Sequence, residues 1–148
     1  MTGSPSAICL LGHLFEEEYT SAAQVFHCPS HTGDHRYAVY APSWASEAGL
    51  LVGNFQYRGR AQILHGASTD RLSGMPAGTT LIADGFRTQS DFNHQVGANL
   101  FRADSSVSWF SDRNGSFSTR FSELPKDTAS SPPNASLVQL LWQALDRP

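Results

Sequence analysis

The densest grouping of chemistry-bearing residues lies early in the chain. His27-Cys28-x-x-His31-x-x-Asp34-His35 sets a thiol, three imidazoles and a carboxylate at short intervals. Zn²⁺ takes four such ligands at about 2.0–2.3 Å, so a loop that folded His27, Cys28, His31 and His35 around one point would make a metal site. The spacing matches no standard zinc finger, and a second Cys pair is absent, since the chain has 2 cysteines. Histidines scattered on a surface loop account for the same residues. Cys9 and Cys28 are also a candidate disulfide, with two buried thiols as the alternative. Two cysteines exclude a disulfide-rich scaffold.

His94 and Asp104 form the next pairing of a base with an acid. Along one extended strand they would lie about 20–30 Å apart, since a strand rises about 3.3 Å per residue. They would then share no catalytic site unless the chain bends at Gly97. Asp84, Asp91 and Asp104 together would suit Ca²⁺, but the EF-hand spacing is missing. Serines are plentiful, yet there is no Gly-x-Ser-x-Gly elbow, no phosphate-cradling P-loop and no Gly-x-Gly-x-x-Gly. Trp44, Trp109 and Tyr57 would serve a sugar-like ligand as stacking platforms, or else fill the core.

A chain of 148 residues is one domain by length, and its 40% hydrophobic content is ordinary. Nine Phe, four Tyr and three Trp give it much to bury, which excludes long disorder. The net charge is −3 and the arginines are dispersed singly, so no nucleic-acid footprint is present. No apolar run reaches the roughly 18 residues of a membrane span.

The elements that must position these residues are read from periodicity and turn chemistry. Ile8, Leu11, Leu14 and Phe15 predict a helix over about 6–18; the Glu16-Glu17-Glu18 run at its dipole-negative end calls for either an early stop near Phe15 or a partner cation. Residues 25–29 read as extended, 30–35 as a loop, and 36–40 as a strand ended by Pro42. Phe55-Gln56-Tyr57 reads as β, and residues 79–83, rich in β-branched side chains, as a strong strand. Residues 98–103 and 107–110 predict a hairpin. The turn sequence Asp112-Arg113-Asn114-Gly115 predicts a second hairpin returning through 116–121. Residues 125–134 read as a linker. Leu137, Val138, Leu141, Trp142 and Leu145 predict a C-terminal helix over 135–148, folded back onto the core or docked on another subunit.

Two segments together resemble the bacterial prepilin-like proteins related to the pseudopilins of type II secretion systems. The first is Tyr19, then Val-Phe-His-Cys-Pro-Ser at 25–30, then Tyr37-Ala-Val-Tyr40. The second, from Asn93-His94 to Trp109-Phe110, is similar to that family's C-terminal signature, in which nine residues separate a His from Asp-Gly. Asp84-Gly85 after a strand echoes an upstream family Asp-Gly. Ser105 stands where the family has Gly and Val96 replaces the first Gly of a pair. The family's basic leader, cleavage site and long apolar helix are absent from this sequence.

The resemblance implies an α+β pseudopilin-like head over 1–124: a remnant N-terminal helix packed on an antiparallel sheet of about four strands, with the C-terminal helix added. It makes Cys28, Pro29, His94, Gly97, Ala98, Asn99 and Asp104 structural signature residues and assigns no catalytic residue. The implied role is a non-catalytic subunit of a type II secretion or type IV pilus-like assembly. Its partners would be other pilin-like subunits or secretion components, and no cofactor is required. It would be anchored in the inner membrane before assembly through a helix removed from this chain, with the head on the periplasmic or extracellular face of the bacterial envelope. The alternatives are a zinc module or metal-dependent enzyme built on the His27–His35 loop, with calcium as a second metal, and an extracellular ligand-binding domain.

Overall fold

The computed structural model describes residues 10–46, 52–58, 74–126 and 135–146. Within them the protein is α+β, with helices at both ends and a four-stranded antiparallel sheet between. Cys9 and most of the stretch read as a linker lie outside the described residues, as do 6–9 of the predicted first helix.

A single 3₁₀ turn, Leu10–Gly12, runs into α1 (His13–Glu16). The helix ends at the acidic run, as expected where carboxylates oppose the dipole. Glu18 adopts φ 58° there. Its N–H reaches the Phe15 carbonyl at 3.1 Å and the Thr20 N–H reaches that of Leu14 at 3.3 Å, which satisfies carbonyls the helix leaves open.

Two stretches read as extended are helical. Residues Ala23–Phe26 form a 3₁₀ turn, with extended backbone resuming only at His27. Residues 36–40 are not a strand; they open α2 (Tyr37–Ser46), which carries Pro42 inside it. The reason is the side-chain pattern. Tyr37, Tyr40 and Trp44 recur at helical spacing and turn toward Ala23 and Phe26 in a small second core, joined by Leu11 and Phe15. Trp44 stacks on Phe26 with centroids 5.1 Å apart, takes the edge of Phe15 at 5.0 Å, and donates Nε1–H to the Val52 carbonyl. Pro42 faces solvent. Burial of the aromatic row outweighs the hydrogen bond that a proline removes.

The sheet order is β1 (Phe55–Tyr57), β2 (Thr80–Asp84), β3 (Gly97–Arg102) and β4 (Val107–Ser111). Phe55 pairs with Asp84, Ala83 with Leu100, and Ala98 with Phe110. The β3–β4 turn places Ser105 at φ 66°, the left-handed conformation that favours glycine. Asp104 steadies that turn by accepting the Ser106 N–H at 2.9 Å.

Residues 116–121 are not a returning strand. They form α3 (Ser116–Phe121), and the fourth strand of the sheet is β1 instead. Asp112 decides this. Its carboxylate accepts the N–H groups of Phe117 (3.0 Å) and Ser118 (2.8 Å) and the Ser118 hydroxyl, filling the open donors of a helix start. Phe117 and Phe121, one helical turn apart, then reach the core together.

The main core joins Ala83, Phe86, Ala98 and Leu100 of the sheet region to Phe117, Phe121 and Leu124, and to Leu137, Leu141, Trp142 and Leu145 of α4 (Ala135–Leu145). The C-terminal helix therefore folds back onto the sheet. Its end is tied down by Asp146, which pairs with buried Arg58 at 2.7 Å and accepts the Thr80 N–H at 2.8 Å. The sheet's buried face is thus covered by α3 and α4. The N-terminal helix, expected on that sheet, sends Leu11 and Phe15 into the second core. No helix among the described residues is long and apolar enough to cross a membrane.

Candidate functional site

Cys28, Asp84 and His94 come together from three distant parts of the chain. Among the described residues they are the one group of three whose ligand atoms all lie within 4.8 Å of one another. Cys28 follows the 3₁₀ turn and is fixed by Asn54, the residue before β1: its N–H donates to Asn54 Oδ1 at 2.6 Å, and the Asn54 N–H donates to the Phe26 carbonyl. Asp84 ends β2. The next residue must be glycine, because a Cβ on Gly85 would sit 2.6 Å from the Asn54 carbonyl oxygen. His94 lies in the loop that enters β3.

One ring nitrogen is the hub. His94 Nε2 stands 3.6 Å from Cys28 Sγ, 3.4 Å from Asp84 Oδ2 and 3.4 Å from Asn99 Nδ2. Asn99 holds the carboxylate by donating its backbone N–H (2.6 Å) and its side-chain amide (3.1 Å) to Asp84 Oδ2. Ser30 Oγ is 3.2 Å from the sulfur, and Asn93 Nδ2 lies 3.9 Å from it and 3.2 Å from Ser30 Oγ. Trp109 covers the imidazole edge-to-face, centroids 5.2 Å apart. Gly97 makes this cover fit, because a Cβ there would meet Trp109 Cζ2 at 2.7 Å and press on the Phe110 carbonyl oxygen.

The remaining loop histidines serve a different centre. Asp91, 1% exposed, accepts His35 Nδ1–H at 2.6 Å and lies 3.6 Å from His31 Nε2. Its other oxygen accepts the N–H groups of Arg87 and Thr88, both at 3.1 Å. Burial pushes the Asp91 carboxyl up, but the hydrogen bond and charge of His35 outweigh it and hold the group below its ordinary range. Burial lowers His31, only partly offset by Asp91. Burial likewise lowers His27, whose Nδ1–H donates to the His35 carbonyl at 3.3 Å and whose ring meets Tyr37 edge-on.

The four residues read as one metal-binding loop are therefore divided. Cys28 turns to Asp84 and His94, His31 and His35 turn to Asp91, and His27 packs against aromatic rings. Of the signature residues, Cys28, His94, Gly97 and Asn99 meet at one junction. Ala98 is core, Pro29 is exposed beside the thiol, and Asp104 stays in its turn. Asp84, Asp91 and Asp104 belong to three separate arrangements. Cys28 is a free thiol, and Cys9 lies outside the described residues. Of the aromatic residues read as platforms, Trp44 is core, while Trp109 (47%) and Tyr57 (38%) are exposed. An open hollow of about 460 Å³ is lined by Phe110, Arg113, Asn114 and Arg120, among others, and none of the junction residues lines it.

The geometry discriminates between chemistries. A Cys–His–Asp relay needs the imidazole to bridge, one nitrogen on the thiol and the other on the carboxylate. Here both face the same nitrogen, so the ring passes no proton from one to the other. Of the residues around Cys28 and Asp84, Asn54 carried no sequence signal; Ser30, Asn93 and Asn99 lay in the resembling segments and Asp84-Gly85 was a family echo, but none was legible as a partner of the thiol or the carboxylate. A scan of family models and searches of curated proteins and solved structures find no match to this chain.

Proposed function

We propose that this chain is the globular head of a prepilin-like or pseudopilin-like subunit in a type II secretion or type IV pilus-like assembly, and that it is non-catalytic. The observation that carries the reading is the meeting of the two resembling segments. Cys28 and His94, 66 positions apart, are in contact at 3.6 Å, and the residues around them act as fasteners: Gly97 seats Trp109, and Asn99 holds Asp84. Residues that close a fold suit a subunit whose task is to present a shaped surface. The shared hub nitrogen also speaks against a proton relay. In this reading the partners are neighbouring pilin-like subunits, and the head lies on the outer side of the inner membrane, anchored through an apolar helix.

Fractionation of cells expressing the natural gene tests it. Antibody against the head should find the protein in the inner membrane and in filaments sheared from the surface. Recovery only as a free monomer in the soluble fraction would overturn it.

A further inference from the structure

We infer that Cys28, Asp84 and His94 form a Zn²⁺ site with three protein ligands and a fourth position open to water. The inference goes beyond the pilin-head reading, since the site belongs to the folded head wherever that head is assembled.

The spacing of the ligand atoms fits the ion. Tetrahedral Zn²⁺ with Zn–S about 2.3 Å and Zn–N about 2.0–2.1 Å sets sulfur and nitrogen about 3.6 Å apart, and nitrogen and carboxylate oxygen about 3.4 Å apart. Cys28 Sγ and His94 Nε2 are 3.6 Å apart, and His94 Nε2 and Asp84 Oδ2 are 3.4 Å apart. All three donors lie within 4.8 Å of one another.

Protons alone leave one atom of the cluster unsatisfied. A hydrogen on His94 Nε2 has Asp84 Oδ2 at 3.4 Å to accept it, and a lone pair there has the Asn99 amide at 3.4 Å and the Cys28 thiol at 3.6 Å. Asp84 is 6% exposed, and its second oxygen, Oδ1, is buried with no hydrogen-bond partner. A buried carboxylate oxygen without a donor is costly. A cation held by the sulfur, the nitrogen and Asp84 Oδ2 neutralises the carboxylate whose other oxygen has no donor.

The donor set selects the metal. Thiolate, imidazole and carboxylate suit Zn²⁺, whereas Ca²⁺ and Mg²⁺ take oxygen alone. Thiolate and carboxylate balance the dication, and binding releases the Cys28 thiol proton to solvent. Outer contacts are already in place: Ser30 on the sulfur and Asn99 on the carboxylate, the kind of support that orients ligands. Cys28 and Asp84 are buried while the His94 side chain is 23% exposed, so the open position faces solvent on the His94 side.

The test uses the full, untagged chain, reduced and stripped with EDTA. Titration with Zn²⁺ should end at one ion per chain. Co²⁺ in its place should give a thiolate-to-cobalt charge-transfer band and the intense visible bands of four-coordinate Co²⁺. His94→Ala and Asp84→Asn should abolish the stoichiometric ion, and His31→Ala should retain it. Ser30→Ala should weaken binding by about 10- to 100-fold. If the ligand variants do not fold, the wild-type cobalt spectrum decides alone, together with Zn²⁺ protection of Cys28 from alkylation mapped by peptide mass. A cobalt spectrum without the thiolate band, an unprotected Cys28, or loss of the ion in His31→Ala with retention in His94→Ala would overturn the site.

Discussion

Replacing Asp112 by alanine isolates the interaction that makes residues 116–121 a helix. The carboxylate accepts the Phe117 N–H at 3.0 Å and the Ser118 N–H at 2.8 Å. Gly115 is the N-cap and offers no side chain; Asp112 takes over its task, and losing such an acceptor costs about 0.5–2 kcal/mol. Phe117 is 1% exposed, so its N–H is left without water, and an unmet buried donor adds to the loss within a range of about 1–3 kcal/mol. The two overlap, and the expected total is about 2 kcal/mol. For a domain of this size that lowers Tm by about 4–8 °C. Asp112→Asn keeps one acceptor oxygen and should lose about half as much. Urea unfolding followed by circular dichroism reads both, with the slope against denaturant unchanged. A loss below about 0.5 kcal/mol for Asp112→Ala would refute the role given to this side chain.

Three further outcomes follow from the same contacts. Ser105→Gly should stabilise the protein by about 0.5–1 kcal/mol, because glycine removes the strain of φ 66°; an unchanged or lower Tm contradicts this. Gly97→Ala should destabilise by about 1–3 kcal/mol and alter Trp109 fluorescence, since the new Cβ meets Trp109 and the Phe110 carbonyl; an unchanged spectrum contradicts it. In EDTA, stability should fall on acidification in two stages. His31 is held below 6.5, so under that pH the unfolded chain binds the extra proton and stability drops. Asp91 is held below 3.8, so its contribution, full above that value, is lost as pH falls through the lower folded value. His31→Gln should shrink the upper stage, and a flat profile between about pH 7 and 5 would contradict the assignment.

The sequence was most legible where one periodicity had no rival. β2 is rich in β-branched residues, and the apolar row of α4 has a single helical face. It was ambiguous where two periods coincide. Phe117, Thr119 and Phe121 alternate like a strand, yet Phe117 and Phe121 are also one helical turn apart, and only the Asp112 cap separates the readings. Tyr37, Tyr40 and Trp44 lie at helical spacing, but Pro42 reads as a stop until burial of Trp44 is known. The site divides in the same way. Cys28 and His94 were singled out by type and motif. Their contact follows from the path of the chain between them, which no local spacing encodes. The loop histidines were grouped by nearness in sequence, whereas Asp91, arriving from far along the chain, takes His31 and His35 away from Cys28.

Cys28 and His94, brought together from two distant segments, act on each other to hold the fold together. A double-mutant cycle between Cys28 and His94, with alanine at each position and EDTA present to exclude bound metal, measures that contact directly. A coupling energy of about 1–3 kcal/mol in unfolding free energy is expected. Additivity within about 0.5 kcal/mol would contradict it.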